Sequence, residues 1–361
     1  GRMRKLNRRV VVAMSGGVDS SVAAALLLER GYEVIGITMQ IWPQEDKEGA
    51  CCSLSAVEDA RCVANKLGIP YYVSNLQDLF AQEVIANFCS EYQRGRTPNP
   101  CIRCNEKLKF SALLKRARQL DAEYLATGHY VRVKQEANRF LLYGALDKHK
   151  DQSYVLYGLR QEQLRYLLFP LGELTKDQTR SLAEKYDLPV AHKAESQEIC
   201  FVPNDDYRAF LKERIPQQPG QIVDTAGQVL GEHHGIANFT IGQRRNLGLG
   251  HTGQRYFVVE VDPKLNRVIV GKKEELYRSS LLADNLNFIL FDELQKPLEV
   301  QAQIRYNAPR TPAVIVPQGD QVRVDFASPQ PAITPGQAVV FYQGELVVGG
   351  GTIIRALDSA R

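Results

Sequence analysis

The sequence predicts an α/β protein whose N-terminal parallel sheet is followed by a small central domain and a C-terminal β-barrel. Three observations carry this. Up to about residue 204, short apolar runs alternate with helical patterns, as in strands joined by crossover helices. The stretch 215–220, rich in Pro and Gly, reads as a linker, and the helical period vanishes beyond it. From about residue 284 the apolar positions recur in strand-length runs, partly at period two. The expected domains are 1–204, 205–283 and 284–361.

Val10-Val11-Val12 reads as the first strand, and Val22, Ala23, Leu26 and Leu27 share one face of the helix that follows. Between them stands Ala13-Met14-Ser15-Gly16-Gly17-Val18-Asp19-Ser20-Ser21. Two glycines permit a sharp turn and bring backbone N–H groups close to a ligand. Serine hydroxyls and the positive end of the helix face the same spot. Such a turn holds phosphate; a plain glycine turn before a serine-capped helix is the alternative at this point. The turn has neither the Gly-Lys-Ser/Thr ending of a Walker loop nor a Gly-x-Gly-x-x-Gly fingerprint.

Further strands are expected at 33–39, 71–73 and 124–127, the last ending in Gly128-His129. Ser55-Ala56-Val57-Glu58 reads as a capping box opening a helix with Val57, Ala60, Val63, Ala64 and Leu67 inward. Other helices are expected at 79–92 and 109–120, and a hairpin at 131–143. Later helices start near Gln161 and after Thr175, and a short one covers 206–214. Ligands of a parallel sheet lie at the strands' C-terminal ends. The glycine turn, Met39 and Gly128-His129 all fall there. Beyond the linker, strand-like runs cover 255–261, 267–270, 299–306, 322–326, 338–342 and 345–348.

At 361 residues the chain exceeds one ordinary domain, and 44% hydrophobic with 24% charged residues suits a soluble globular protein. No run of about 18 uncharged apolar residues is present, so no membrane helix is expected. The basic start (Arg2, Arg4, Lys5, Arg8, Arg9) lacks the apolar core of a signal peptide, so a cytoplasmic protein is expected. A net charge of +4 permits a polyanionic partner without requiring one. Seven cysteines, an odd number, argue against a disulfide framework and for chemically active thiols.

Cys101 and Cys104 sit three apart in a segment read as a loop stiffened by Pro98 and Pro100, with Arg94, Arg96, Arg103 and Lys107 favouring thiolate. A Cys-x-x-Cys alone fits zinc, redox or cluster chemistry. A structural zinc site wants four ligands, and no second close pair supplies them. Cys200 follows a polar stretch, whereas Cys62 and Cys89 lie in helical patterns and read as core residues. Cys51 and Cys52 are also read as structural.

Together these stretches resemble the tRNA-specific 2-thiouridylases, which replace the C2 oxygen of the wobble uridine (U34) with sulfur. The glycine turn resembles the pyrophosphate (PP) loop of the adenine-nucleotide hydrolase-like ATP pyrophosphatases. The likeness covers nearly the full length. It also includes Thr127-Gly128-His129-Tyr130, Lys150-Asp151-Gln152-Ser153-Tyr154, Ser196-Gln197-Glu198-Ile199-Cys200-Phe201, the stretch 250–256, Ile304-Arg305-Tyr306 and Pro335-Gly336-Gln337.

The resemblance implies that Ala13, Met14, Ser15, Gly16, Gly17, Val18, Asp19, Ser20, Met39 and Gly128 bind ATP, with Mg2+. It implies Cys104 as nucleophile and Cys200 as bearer of a persulfide. Asn99, Pro100 and Cys101 would meet the target base, and His129, Lys150, Asp151, Gln152, Arg305, Tyr306 and Gln337 the tRNA. On the residues alone, Lys150 to Gln152 fit a solvated turn; a packed strand-end histidine is the alternative for His129 and barrel surface that for Arg305-Tyr306, where Arg suits phosphate and Tyr suits stacking on RNA. ATP would adenylate the C2 oxygen, a poor leaving group, and persulfide sulfur would displace AMP, leaving 2-thiouridine and pyrophosphate.

The implied partners are the tRNA anticodon stem-loop and a sulfur-carrier protein or cysteine desulfurase; a monomer without membrane attachment is expected. One departure stands out: many members carry aspartate, proposed as a general acid or base, where this chain has Cys101. Three thiols also suit an alternative route, a [4Fe–4S] cluster on Cys101, Cys104 and Cys200 whose open iron carries the sulfur. The persulfide route is preferred. Two rival functions are an amide-forming PP-loop synthetase, which needs neither Cys104 nor Cys200, and an RNA-binding protein without catalysis.

Overall fold

The computed structural model describes residues 8–42, 54–195, 199–250 and 253–358. Cys51, Cys52, Ser196, Gln197, Glu198, His251, Thr252 and the basic positions ahead of Arg8 lie outside the described residues.

The fully buried Val10, Val11 and Val12 make β1 (Arg9–Ala13) an inner strand. It is followed by α1 (Val18–Glu29), β2 (Glu33–Gln40), α2 (Leu54–Leu67) and β3 (Tyr71–Asn75). Next come α3 (Gln77–Phe80), α4 (Ala86–Gln93), α5 (Pro100–Cys104), α6 (Leu113–Gln119) and β4 (Tyr124–Ala126). A hairpin of β5 (Val131–Glu136) and β6 (Arg139–Gly144), then α7 (Gln161–Leu164), β7 (Leu167–Leu168) and α8 (Lys176–Lys185), complete this part. The sheet runs β3-β2-β1-β4-β7, all parallel, with Val10 opposite Val34 on one side and Tyr124 on the other. Helices covering both faces explain why β1 and β2 read as unbroken apolar runs. Strand order reverses between β1 and β4, so the crevice for a ligand opens at their C-terminal ends.

Several expectations are corrected. The second helical run starts at Pro100, not near residue 109, and continues through a π segment, Asn105–Ala112, into α6. Pro100 thus opens a helix, where its missing N–H is harmless, instead of stiffening a loop. A π segment, Ala81–Ile85, likewise joins α3 to α4. Ser55 lies inside the first turn of α2, whose capping position is not among the described residues. Cys62 is exposed and Cys89 half-buried: the inward face of α2 is Ala56, Val57, Ala60, Val63 and Ala64, and Cys62 falls off it. The two-residue strand β7 was not anticipated, being too short to show a period.

Beyond α9 (Tyr207–Lys212), β8 (Gly220–Asp224), β9 (Val229–His233), β10 (Phe257–Asp262) and β11 (Arg267–Gly271) form a sheet in the order β10-β11-β8-β9 over a core including Ile222, Val258, Val268 and Val270. Next come β12 (Tyr277–Phe288), β13 (Leu298–Gln303), β14 (Thr311–Gln318), β15 (Gln321–Pro331), β16 (Ala338–Gln343) and β17 (Leu346–Leu357). Their order is β12-β15-β14-β13-β16-β17, and pairing of β12 with β17 closes the barrel around Leu281, Ile315, Val324, Val339 and Phe341.

The chain divides into two compact units. One holds the residues up to Val84 with Cys101–Asp205 and Glu345–Val347; the other holds Ile85–Pro100, Asp206–Gly344 and the chain from Val348. In the second, Tyr92 stacks on Tyr207 (5.0 Å) and Phe88 meets Phe210 edge-on (6.0 Å). In the first, Arg132 donates to the Glu345 carboxylate (2.6 Å), and the Gly144 N–H to the Glu345 carbonyl (2.8 Å). Among the described residues no helix is long and apolar enough to cross a membrane.

Candidate active site

The turn after β1 is short, and α1 begins at Val18, so Val18, Asp19 and Ser20 occupy the helix's first turn. Gly17 is the N-cap and has no side chain to close off the first-turn N–H groups, which suits an anion. Gly16 has φ +77°, and a Cβ there would stand 2.4 Å from the Ala56 carbonyl of α2, so only glycine fits. At the end of β4, a Cβ on Gly128 would lie 2.7 Å from the Ser20 nitrogen, which brings the β4 end against the start of α1. The Met14 carbonyl accepts from the Thr38 hydroxyl (2.8 Å), and Tyr71 donates to Thr38 in turn (2.6 Å). Met39 is buried at the end of β2, and the Ser15 N–H donates to Ser20 Oγ (3.1 Å). The residues expected at the nucleotide from β1, α1 and β4 therefore meet at one crevice.

A chain of alternating charges leads away from this turn. Asp19 Oδ1 accepts from the Tyr130 hydroxyl (2.8 Å) and Lys176 Nζ (2.7 Å). Lys176 also pairs with Glu195 (2.5 Å), and Glu195 with Lys150 (2.5 Å). Burial, reinforced by the Asp19 charge, pushes the Tyr130 phenol far above its usual range, so it stays a donor. For Glu195, burial favours the neutral acid, but hydrogen bonds and charge from Lys150 and Lys176 outweigh it and hold the carboxyl down at about 2. On the other flank, Lys193 donates to Asp59 (2.5 Å) and to the Gly16 carbonyl (3.2 Å).

Sequence reasoning missed Lys176, Lys193 and Glu195. One signal was available: Thr175 caps α8, its hydroxyl accepting from the Gln178 N–H, and this puts a lysine at the first helical position, against the helix dipole. Such a lysine wants a carboxylate.

Glu195 also sets a pH dependence. Its folded pKa lies below the ordinary 4.5, so its stabilisation is complete above that pH and is lost as pH falls toward about 2. The urea midpoint of the native chain should drop between pH 5 and pH 3, and Glu195→Gln should flatten that part of the profile. Equal slopes for both proteins would contradict the assignment.

The turn expected at tRNA is engaged by the protein itself. Asp151 accepts from the Ser153 N–H (2.9 Å), the Ser153 hydroxyl (3.1 Å) and the Ala145 N–H (3.3 Å). Gln152 brackets Tyr130, its Oε1 accepting from the Tyr130 N–H and its own N–H donating to the Tyr130 carbonyl (both 3.0 Å). The His129 ring lies 2.7 Å from Thr127 Oγ1 and packs on Phe110 and Phe169. Burial, and secondarily the Lys109 charge, keep its imidazole neutral, well below its usual value.

Cys101 and Cys104 lie on α5 at helical spacing i, i+3, hence on one face, Cys101 exposed and Cys104 half-buried. Between them, Arg103 donates to the Glu83 carbonyl (2.9 Å) and carboxylate (2.8 Å). Cys200 is half-buried, and its neighbour Phe201 packs on Phe80 (5.5 Å) and Trp42 (6.3 Å). Phe80 and Glu83 are three residues apart on one helical run, so both thiol-bearing segments are fastened to the same short stretch. Among the described residues no group of three or more His, Cys, Asp or Glu is disposed to hold a metal ion.

In the second unit, Gln337 Nε2 donates to the Thr97 (2.9 Å) and Pro98 (3.2 Å) carbonyls, and the Thr97 N–H to the Pro335 carbonyl (2.9 Å). Gln337 thereby fixes the backbone just ahead of Asn99, which is half-buried, and Pro100, which is buried. Arg305 donates to the Ala332 carbonyl (2.5 Å) and Thr334 Oγ1 (2.8 Å), while Tyr306 is 43% exposed.

Models of three families match the chain: tRNA methyl transferase HUP domain over residues 8–204, tRNA methyl transferase PRC-barrel domain over 208–272, and aminomethyltransferase beta-barrel domain over 278–353. The chain is 56% identical over 360 residues to the tRNA-specific 2-thiouridylase MnmA of Carboxydothermus hydrogenoformans, covering 97% of this chain and 98% of that protein. The protein of the same name from Desulforamulus reducens is 54% identical over 362 residues, covering 98% of each. That from Pelotomaculum thermopropionicum is 54% identical over 354 residues, covering 96% of this chain and 97% of its own.

Proposed function

From the premise that the chain belongs to the tRNA-specific 2-thiouridylase family, we propose that it thiolates C2 of the wobble uridine in tRNA, using ATP. The observation that carries the chemistry is the meeting of Gly16, Gly17, Ser20 and Gly128 at the β1/β4 crevice, with first-turn N–H groups that no side chain caps. The uridine O2 attacks the α-phosphorus of ATP held there, and pyrophosphate leaves. Adenylation turns a poor leaving group into AMP.

Sulfur then comes from a persulfide on Cys200. Either its terminal sulfur attacks C2 and Cys104 then attacks the Cys200 sulfur of the C2–S–S–Cys200 adduct, freeing the thiocarbonyl, or Cys104 attacks the Cys200 sulfur first and the released hydrosulfide attacks C2; both leave a Cys104–Cys200 disulfide that a thiol reductant must reopen. Whichever sulfur reaches C2, AMP departs with the original oxygen, and the two electrons of the new C–S bond come from sulfur. A persulfidated sulfur carrier or a cysteine desulfurase is the donor class.

Mg2+ suits the residues present. Such ions are commonly held by one or two carboxylates together with substrate phosphates, and Asp19 engages Tyr130 and Lys176 through Oδ1, leaving Oδ2. The ion would supply charge neutralisation at the departing pyrophosphate. In this reading Asn99, Pro100 and Cys101 meet the base, and His129, Lys150, Asp151, Gln152, Arg305, Tyr306 and Gln337 contact the tRNA or support the surface that does. Of these, Tyr306 suits stacking on an exposed base. The protein would act in the cytoplasm as a monomer.

A nucleoside digest of wobble-uridine tRNA incubated with ATP, Mg2+ and a persulfide donor tests the reading, with 2-thiouridine expected and AMP formed in equal amount. No 2-thiouridine from iron-free protein, but full activity after iron–sulfur reconstitution, would replace the persulfide route with the cluster. Adenylation of a small carboxylate without tRNA would replace the family function with amide synthesis.

A further inference from the structure

Among the described residues, Lys176 is the one Lys, Arg, Asp or Glu that is buried, at 8% exposure. Its placement is doubly unfavourable. A buried ammonium loses its hydration, and the first turn of α8 presents positive partial charge to it. Both penalties are met by two carboxylates, Asp19 at 2.7 Å and Glu195 at 2.5 Å. Neither partner is near it in sequence, and Asp19 stands on the first turn of α1, where a triphosphate is to bind.

We propose that Lys176 is a positioning residue for adenylation: it holds the Asp19 carboxylate in place and cancels its charge so that the loop accepts ATP. This rests on reading residues 13–20 as the nucleotide loop. A bare carboxylate on that turn would repel the phosphates. Lys176 removes the repulsion without a metal, and Glu195 holds the ammonium from the far side, so that it stays on Asp19 and does not follow the phosphates. Lys150, on the outer oxygen of Glu195, keeps this holder charged. Tyr130 fixes the same Asp19 oxygen from another direction and is itself anchored by Thr179 of α8 (3.0 Å). The first turn of α8 therefore serves as the base on which the loop's one acidic side chain is set. Lys176 acts through Asp19, so its effect should disappear when Asp19 is neutral.

The test measures ATP binding to the full chain with EDTA and with saturating Mg2+, for wild type, Lys176→Met, Asp19→Asn and the double variant. Lys176→Met should bind ATP about tenfold more weakly in EDTA, roughly 1.4 kcal/mol, and recover most of the loss in Mg2+, where the divalent ion takes over the neutralisation. The double variant should bind metal-free ATP within about threefold of Asp19→Asn, because coupled residues do not add. An equal loss for Lys176→Met with and without Mg2+, or additive losses in the double variant, would overturn the proposal. If Lys176→Met does not fold, the double variant, lacking the stranded carboxylate, should still fold and bind; its failure also counts against the idea. Wild-type protein that binds no ATP in either condition would instead remove the nucleotide-loop reading.

Discussion

Cys104→Ala and Cys200→Ala should each abolish 2-thiouridine formation, lowering it at least about 10³-fold, as removal of a reacting nucleophile does. ATP binding and tRNA-dependent pyrophosphate release should persist in both. The separation follows from where the thiols sit. Cys104 ends α5 and Cys200 precedes Phe201, while the proposed nucleotide loop draws its contacts from α2, β2, β4 and α8. Neither thiol is in the buried core, so alanine leaves little cavity, and Arg103–Glu83 and Phe201–Phe80 still hold the backbone. Digest chromatography and a pyrophosphate assay on the same samples check both halves. Thiolation by either variant would remove that cysteine from the chemistry. In the same series, Cys101→Asp restores the residue many family members carry and should keep activity by the persulfide route; loss of activity together with bound iron would revive the cluster.

Gly128→Ala should eliminate measurable ATP binding and lower stability by about 1–3 kcal/mol, the usual range for forcing extra atoms into a packed site. The added Cβ would lie 2.7 Å from the Ser20 nitrogen, 2.8 Å from the Asp19 carbonyl carbon and 3.0 Å from Ser20 Cα. All three are backbone, so no side chain can swing aside. Relief comes only by moving the start of α1 away from β4, which opens the crevice and shifts the N–H groups that face the phosphates. Isothermal titration with ATP and a urea melt would register the two effects. Wild-type affinity in a stable variant would show that the β4 end does not shape the nucleotide site.

Much of this was legible in the sequence. Val10-Val11-Val12 announced a doubly covered strand, and the glycine turn, Met39 and Gly128 were placed together by the rule that parallel sheets bind ligands at their C-terminal edge. What stayed hidden has physical reasons. Two prolines close together read as a break, yet Pro100 at the first helical position begins α5, which is what sets Cys101 and Cys104 on one face. The Asp19–Lys176–Glu195–Lys150 chain joins residues distant in sequence, and such pairings leave no local period. Lys150, Gln152 and Gln337 have the residue types of RNA contacts, and polar type alone does not show that their side chains also bond the Glu195 carboxylate, the Tyr130 N–H and the Thr97 and Pro98 carbonyls.

The pairing of Glu345 with Arg132 and Gly144 has a consequence for biosynthesis. A ribosome extends the chain at roughly 5–20 residues per second, so β5 and β6 exist for many seconds before their last partner is made. The contacts described around the nucleotide loop include none from residues 345–347, and that loop can take shape on a nascent chain. The hairpin cannot be finished there. Its Gly144 amide and Arg132 guanidinium wait for a segment that emerges only after five of the six barrel strands, so completion of the first-made unit is tied to translation through residue 345.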